Sequence, residues 1–336
     1  MGQSASYALD QLVLDLHLEE PRRDDLDHLL RELSWVRTSE LSSKPDLYLS
    51  VSSNNRKFRI PRNRREVLHT DDFLGFEVND DFYLTDRSSV FHLQPTKREG
   101  YARLAPSFFT RPGLVQGNFW CFGLLKLLRP LGVYSLHTAG LATRDGHGLL
   151  LVGASGSGKS TLALGLIQEG WKYLSDDAVL LRHGSEGIEA LACRRSFYID
   201  AVRASKYSDL SLGEEAPDSS GRHRRRVGID EAYPKQYVPR CIPRIVIFPQ
   251  IKGQAQSTLM RVGGVRALGG LLAQSAPQLF DRSTMAQHLE TLKRLLQQTE
   301  TYELHAGRDL YHVPAKLIDL IHQARGAQNW HGSSLN

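Results

Sequence analysis

The run Leu149 to Thr161, Leu-Leu-Leu-Val-Gly-Ala-Ser-Gly-Ser-Gly-Lys-Ser-Thr, is an apolar strand-forming stretch that feeds straight into the pattern G-x-x-x-x-G-K-[ST]. Backbone N–H groups must turn inward to cradle phosphates, and a side chain at Gly153 or Gly158 would block that approach. The whole loop, Gly153, Ala154, Ser155, Gly156, Ser157, Gly158, Lys159, Ser160 and Thr161, is therefore read as a phosphate-binding loop. Lys159 supplies a point charge for β- and γ-phosphate oxygens, Ser160 a hydroxyl for Mg²⁺, and Thr161 opens a helix whose positive end faces the anion. Four apolar residues precede the loop, and Leu162, Leu164, Leu166 and Ile167 follow it with helical amphipathy. A Gly/Ser-rich linker would not sit between two such elements.

Past the helix, which Gly170 ends, Trp171 to Leu181 reads as a strand carrying the adjacent carboxylates Asp176 and Asp177. Neighbouring side chains on a strand point to opposite faces, so one acid is aimed at phosphate and metal while the other is directed elsewhere. The bland alternative is an exposed turn pair, disfavoured by the apolar residues on both sides. Ahead of the loop, Val133 to Ala142 reads as a strand and Asp145-Gly146-His147-Gly148 as a tight turn. The P-loop strand thus has an antiparallel hairpin neighbour, which points away from the all-parallel sheets of common nucleotide-binding folds.

These residues in this order, Ser135-Leu136-His137, the turn, Gly-Ala-Ser-Gly-Ser-Gly-Lys-Ser and Leu174-Ser175-Asp176-Asp177, resemble the catalytic core of HPr kinase/phosphorylase and its relatives. The resemblance is strong from Val133 to Leu181 and weaker onward to Ile321. It implies an α/β fold with a mixed-sheet P-loop core similar to HPr kinase and phosphoenolpyruvate carboxykinase, beside a smaller N-terminal α+β domain. It further implies ATP with Mg²⁺, Asp176 as the base that takes the acceptor's proton, Asp177 and Ser160 on the metal, Lys159 on the transferred phosphoryl group and His137 lining the site. For His137 a plain packing role on the strand carries equal weight. The chain departs from the bifunctional enzymes at Thr161, where they carry glutamate, in the segment Leu191 to Tyr198, which lacks their Gly-Ile signature, and in its basic loop. Phosphorylase activity, HPr recognition and a hexameric ring do not follow.

The densest positive charge, Ser219 to Gly228 with Arg222, Arg224, Arg225 and Arg226, reads as a mobile loop. Guanidinium groups match phosphate oxygens bidentately, so Arg224 and Arg226 are candidates for a lid over the nucleotide. A solvated surface loop is the alternative. No zinc-finger spacing, RNA-reading motif or stacked-aromatic pattern accompanies the arginines, so nucleic acid is not the expected partner.

The net charge of +5 on 336 residues, 41% of them hydrophobic, suits an anionic ligand and two domains with proper cores. Boundaries are placed at 1–103 for the N-terminal domain, 104–326 for the P-loop domain and 327–336 for a loose tail. In the first, Leu12–Leu18, Leu47–Ser52, Lys57–Ile60, Phe73–Val78 and Phe82–Leu84 read as strands and Asp24–Leu33 as a helix. The mostly apolar segment Asn118–Leu128 is expected to pack beneath the core sheet. Later, Pro239–Pro249 contains a buried strand, Gly264–Ala273, Ser283–Gln298 and Val313–Gln323 read as helices, and Thr301–Leu304 as a strand. Cys121, Cys193 and Cys241 lack metal spacing and suggest buried thiols in the cytoplasm, with no membrane partner. Met1 to Ser6 matches the myristoylation pattern, which arises readily by chance. The favoured function is an ATP-dependent kinase of a hydroxyl, foremost a serine on a small protein or peptide. A nucleotide-binding regulatory module without transfer and a kinase of a small metabolite stay open, as does a homo-oligomer.

Overall fold

The computed structural model describes residues 3–19, 23–39, 44–54, 58–201, 210, 212–213, 215–217, 221, 223–275 and 282–325. The expected tail at 327–336, and Arg222, Ser219 and Ser220 of the basic segment, lie outside them. Among the described residues the chain builds two large mixed sheets and a small third one, an α/β architecture.

The first sheet uses β1 (Gln3–Leu9), β2 (Leu12–Leu18), β3 (Val36–Thr38), β4 (Leu47–Ser53), β5 (Arg65–His69), β6 (Leu74–Val78), β7 (Asp81–Thr85), β8 (Val90–Gln94) and β9 (Glu99–Leu104). Their order is β3-β1-β2-β4-β9-β8-β7-β6-β5, antiparallel except where β4 runs parallel to β2 and to β9. Helix α1 (Arg23–Glu32) turns Leu26, Leu29 and Leu30 into the core. The expected strand at Lys57–Ile60 does not form: Lys57 lies outside the described residues, and Phe58 and Ile60 pack singly against a cluster of Phe76, Val78, Tyr83 and Val90.

Helix α2 (Gly113–Leu128) buries ten of its 16 residues, because a helix apolar all round has no face suited to water. It packs in the cluster formed on the first sheet, where Phe119 and Trp120 meet Phe91. The same cluster takes in Leu180, Leu191 and Cys193 from the second sheet. The helix expected beneath the core sheet is thus shared between the two sheets.

The second sheet runs β10 (Tyr134–Leu136), β14 (Val179–Gly184), β15 (Gly187–Ala192), β19 (Arg240–Ile251), β12 (His147–Val152), β11 (Thr138–Ala142), β13 (Lys172–Ser175), with β21 (Glu300–Ala306) and β20 (Thr258–Arg261) continuing from β19. The P-loop strand β12 is antiparallel to β11 and parallel to β19. A proline in a central strand removes a ladder donor and needs a local irregularity. Pro243 of β19 meets one: the register shifts after Gly148, where a Cβ would stand 2.6 Å from Cys241 Sγ and 3.1 Å from Pro243 Cα. The third sheet, β16 (Ser196–Asp200), β18 (His223–Gly228) and β17 (Glu215–Pro217), stands over the P-loop end.

The P-loop helix α3 (Lys159–Gln168) lies against β11, β12 and β16. Its start at Lys159 precedes the expected Thr161 by two residues. The remaining α-helices among the described residues are α4 (Ile229–Ala232), α5 (Gly264–Ala273), α6 (Met285–Gln298), α7 (Arg308–His312) and α8 (Lys316–Arg325). Exposed-helix propensity favours Ala over Gly by ~1 kcal/mol, but a Cβ at Gly165 of α3 would fall well inside contact distance of the Pro314 ring. Overpacking against a rigid ring costs about 1–3 kcal/mol. Gly165→Ala should therefore lower the denaturant midpoint at unchanged m-value, and a raised midpoint would show that this packing is not as described.

Candidate active site

The loop after β12 turns back at once. Ser157 N–H donates to the Ala154 carbonyl at 3.2 Å, and Gly156 and Gly158 adopt φ values of 84° and 98°, in the left-handed region where only glycine is unstrained. Gly158 caps α3, whose first amides face the cavity lined by Ser155, Gly156, Gly158, Lys159, Ser160 and Thr161.

Lys159 is buried, and its ammonium reaches the carbonyl oxygens of Gly153 at 2.6 Å and Ala154 at 3.1 Å and the His137 Nε2 at 3.1 Å. An ammonium only donates, so His137 Nε2 accepts and the ring proton belongs on Nδ1. Nδ1 donates to the Asp177 carbonyl at 2.8 Å. Burial, then the Lys159 charge, lowers the His137 pKa, which keeps the ring neutral. Burial likewise lowers that of Lys159. The expected single strand Val133–Ala142 breaks at His137: β10 pairs β14, β11 pairs β12 and β13, and the residue between them is freed to turn its ring to the loop.

The aspartates also lie on a break. The expected strand Trp171–Leu181 divides into β13 and β14, and Asp176 and Asp177 occupy the connection. Ala178 N–H donates to the Asp176 carbonyl at 2.8 Å around Asp177, whose φ is 64°. This is a γ-turn of the rare, strained hand. Ser175 holds it: its hydroxyl donates to the Ala178 carbonyl at 2.5 Å and accepts from the N–H groups of Cys193 at 3.1 Å and Arg194 at 2.9 Å.

The turn sends its two carboxylates to different places. Ser160 donates to Asp176 Oδ2 at 2.8 Å, while Asp176 Oδ1 is buried without a hydrogen-bond partner. Asp177 lines the cavity. Ser160, expected to share a metal with Asp177, hydrogen-bonds to Asp176. Burial, with Asp177 adding repulsion, pushes Asp176 up to about 6. Among the described residues no group of three or more His, Cys, Asp or Glu is arranged to hold a metal. A P-loop magnesium site needs less, since phosphate oxygens and water complete its octahedron. The Ser160 hydroxyl and the unpartnered Asp176 oxygen fit that role.

The basic segment, expected to be a mobile loop, is in its described part the strand β18. Across the β17–β18 ladder Arg225 pairs with Glu215 at 3.0 Å, and His223 Nδ1 lies 2.9 Å from the same carboxylate. Arg226 does not face the cavity; it forms a two-pronged pair with Glu32 of α1. Arg224 lines the cavity, donates to Ser155 Oγ at 3.4 Å and lies across the ladder from Asp200. Tyr198, Ile199, Asp200 and Ile251 complete the wall. Nothing in their sequence marks them, because they are strand residues brought to the loop by β16 and the end of β19. Arg194 was equally silent in the sequence: buried behind the turn, it donates to Asn118 Oδ1 of α2 at 2.5 Å.

No family model matches the chain. It is 30% identical over 106 residues to the HPr kinase/phosphorylase of Peptoclostridium acidaminophilum, covering 26% of this chain and 34% of that protein. Over 120 residues it is 32% identical to the HPr kinase/phosphorylase of Thermoanaerobacter sp. (strain X514), covering 30% and 39%. With the protein of that name from Chlorobium chlorochromatii (strain CaD3) the identity is 41% over 68 residues, 20% of each chain. The chain thus spans between a fifth and two fifths of the curated relatives it matches. The solved Hpr(Ser) kinase/phosphatase from Coxiella burnetii aligns with a TM-score of 0.32 and 11% identity, over 57% of this chain and 95% of that one. The curated matches relate the chain to the HPr kinase/phosphorylases.

The raised Asp176 pKa has a stability signature. Between the ordinary value of 3.8 and about 6, the folded protein binds more protons than the unfolded one, so stability falls as pH rises through that window. Above it the ionised carboxylate costs on the order of 2–3 kcal/mol. In a chelator, Asp176→Asn should be the more stable protein at pH 7.5, with the difference closing below pH 4. Equal denaturation midpoints at pH 7.5 would mean that Asp176 is not strained by its surroundings.

Proposed function

We propose that this relative of the HPr kinase/phosphorylases is an ATP-dependent kinase that transfers the γ-phosphoryl group to a hydroxyl, foremost a serine on a small protein. The observation that carries the reading is that the hydrogen-bonded chain Lys159–His137–Asp177 carbonyl and the pair Ser160–Asp176 are brought together by the Asp176-Asp177 turn beside the glycine-rich loop. Phosphoryl transfer asks chiefly for positioning and charge neutralisation, and these groups supply both.

In this reading the amides at the start of α3 hold the phosphates, and Lys159 exchanges the Gly153 and Ala154 carbonyls for β- and γ-phosphate oxygens. Ser160 and Asp176 hold Mg²⁺, which when bound neutralises phosphate charge. Asp177, on the cavity wall, takes the proton from the acceptor hydroxyl. This exchanges the two carboxylate roles that the family resemblance implies. The reason is geometric: Asp177 lines the cavity while Asp176 is turned to Ser160, and a base must come within hydrogen-bond reach of the acceptor. Neutral His137 fixes the Asp177 carbonyl and hence the turn. Arg224 stands beside Ser155 to meet phosphate charge as ATP enters. Three buried, unbridged cysteines support a reducing, cytoplasmic setting. No helix among the described residues is long and apolar enough to cross a membrane.

Purified protein incubated with Mg²⁺ and γ-labelled ATP should label serine on a small acceptor protein. Asp177→Asn should retain ATP binding and lose about 10²–10⁴ in transfer rate, while Lys159→Ala should lose both. Undiminished transfer by Asp177→Asn would remove it as the base. Nucleotide binding with no transfer to protein would turn the reading to a regulatory module, and label on a free metabolite would change the acceptor class.

Arg224→Ala should raise the KM for ATP several-fold at low salt, with the gap narrowing as salt screens the partly exposed charge. A salt-independent effect would argue that Arg224 acts through strand pairing instead.

A further inference from the structure

Behind the carboxylate turn, on the side away from the cavity, Cys121 of α2 and Cys193 at the end of β15 bring their sulfurs within 3.7 Å of each other. They are 72 residues apart in sequence and come from the two halves of the fold. Both are buried, at 6% and 5% exposure, yet neither thiol is part of the transfer machinery. The Arg194 guanidinium lies beside them, fixed by Asn118 one turn before Cys121 on the same helix. We propose that Cys121 and Cys193 form a peroxide-sensitive dithiol, a modification site that closes to a disulfide and loosens the turn carrying Asp176 and Asp177.

The chemistry balances with one peroxide. The Cys121 thiolate attacks a peroxide oxygen; an S–O bond forms, the O–O bond breaks, and the departing hydroxide leaves as water with a proton. The Cys193 sulfur, losing its own proton, then attacks the Cys121 sulfenic sulfur; the S–S bond forms, the S–O bond breaks, and a second water leaves. Two thiols are oxidised by two electrons and the peroxide is reduced. Cys121 is suited to the first step, because a hydrogen bond from Cys193 and the nearby Arg194 charge draw its pKa down to about 7 against the opposing effect of burial. Cys193, the donor of that bond, is pushed well above the ordinary thiol range and suits the resolving role. Cys241, pushed up to about 12 by burial, is an internal control. Burial restricts the oxidant to a small neutral molecule such as hydrogen peroxide.

The link to the site is short. The N–H groups of Cys193 and Arg194 are the two donors that hold Ser175, and Ser175 holds the γ-turn. Closing the sulfurs from 3.7 Å to about 2.0 Å in a disulfide draws Cys193 toward α2. It thereby strains the bracket around Ser175. The consequence for catalysis rests on the transfer reading above; the dithiol chemistry does not.

The test uses the full chain, reduced and then exposed to hydrogen peroxide. Thiols titrated in denaturant should fall from three to one and return with a dithiol reductant, and peptide mapping should show the Cys121–Cys193 crosslink. Cys241→Ser should still form it. Cys193→Ser should stop at a sulfenic acid on Cys121 that a cyclic dione traps. Hydrogen exchange over residues 173–180 should be at least tenfold faster in the oxidised protein. Loss of all three thiols together, overoxidation of Cys121 with Cys193 left free, or no thiol loss would overturn the dithiol. A clean crosslink with unchanged exchange over 173–180 would overturn the loosening of the turn. Neither readout requires phosphoryl transfer, so failure of the kinase reading is seen separately.

Discussion

The hydroxyl of Ser175 holds together the turn on which the site depends. It is almost fully buried and uses its one proton on the Ala178 carbonyl and its lone pairs on the Cys193 and Arg194 amides. Without such a bracket, a γ-turn with Asp177 at positive φ has little to favour it, since non-glycine residues in strained backbone regions cost of order 1–3 kcal/mol. With it, two consecutive carboxylates are fixed in different surroundings, Asp176 against the Ser160 hydroxyl and Asp177 at the cavity wall. Their separation follows from the broken strand, for a continuous one would have placed only one of them near the loop.

The second constraint is the cost of burying charge. Lys159, Asp176 and Arg194 are 6%, 4% and 8% exposed, and each ion needs close partners to remain ionised in such surroundings. Lys159 finds them in loop carbonyls and His137, and Arg194 finds one in Asn118. Asp176 is under-served, with one oxygen bonded to Ser160 and the other unpartnered. A buried carboxylate left short of donors is unfavourable ground for folding alone.

The glycine-rich loop between strand and helix and the hairpin before it were legible in the sequence because each is written locally. Glycine spacing, the Asp145-Gly146 turn and the apolar flanks act over a few residues. What was not legible depends on partners far along the chain. The arginines of β18 read as a mobile loop with Arg226 in a phosphate lid, since the sequence does not show that Glu32, 194 residues away, meets Arg226. The acid pair read as part of a continuous strand because its flanks are apolar, and the break is imposed by contacts with Cys193 and Arg194 nearly twenty residues later. Strand β1 went unread for a related reason: its first residues are exposed and polar, so it shows no alternation until β2 supplies the ladder.

The N-terminal half is more than a neighbour of the P-loop core. Glu32 of α1 pairs with Arg226, and its carbonyl accepts the Arg195 N–H at 2.9 Å, so α1 grips both the strand that carries Arg224 and the segment that follows Arg194. From α2, Asn118 fixes Arg194 itself. Helices α1 and α2 thus reach the third sheet, which lines the cavity, and the Cys193–Arg194 bracket behind the acid turn. A shift of the first sheet against the second would move the third sheet and the bracket together, because each is tied by a charged hydrogen bond rather than by apolar contact alone. Such bonds are directional and lose strength steeply with misalignment, whereas apolar packing tolerates sliding. The geometry of the acid pair is therefore sensitive to the interface between the halves, although no residue of the first hundred lines the cavity.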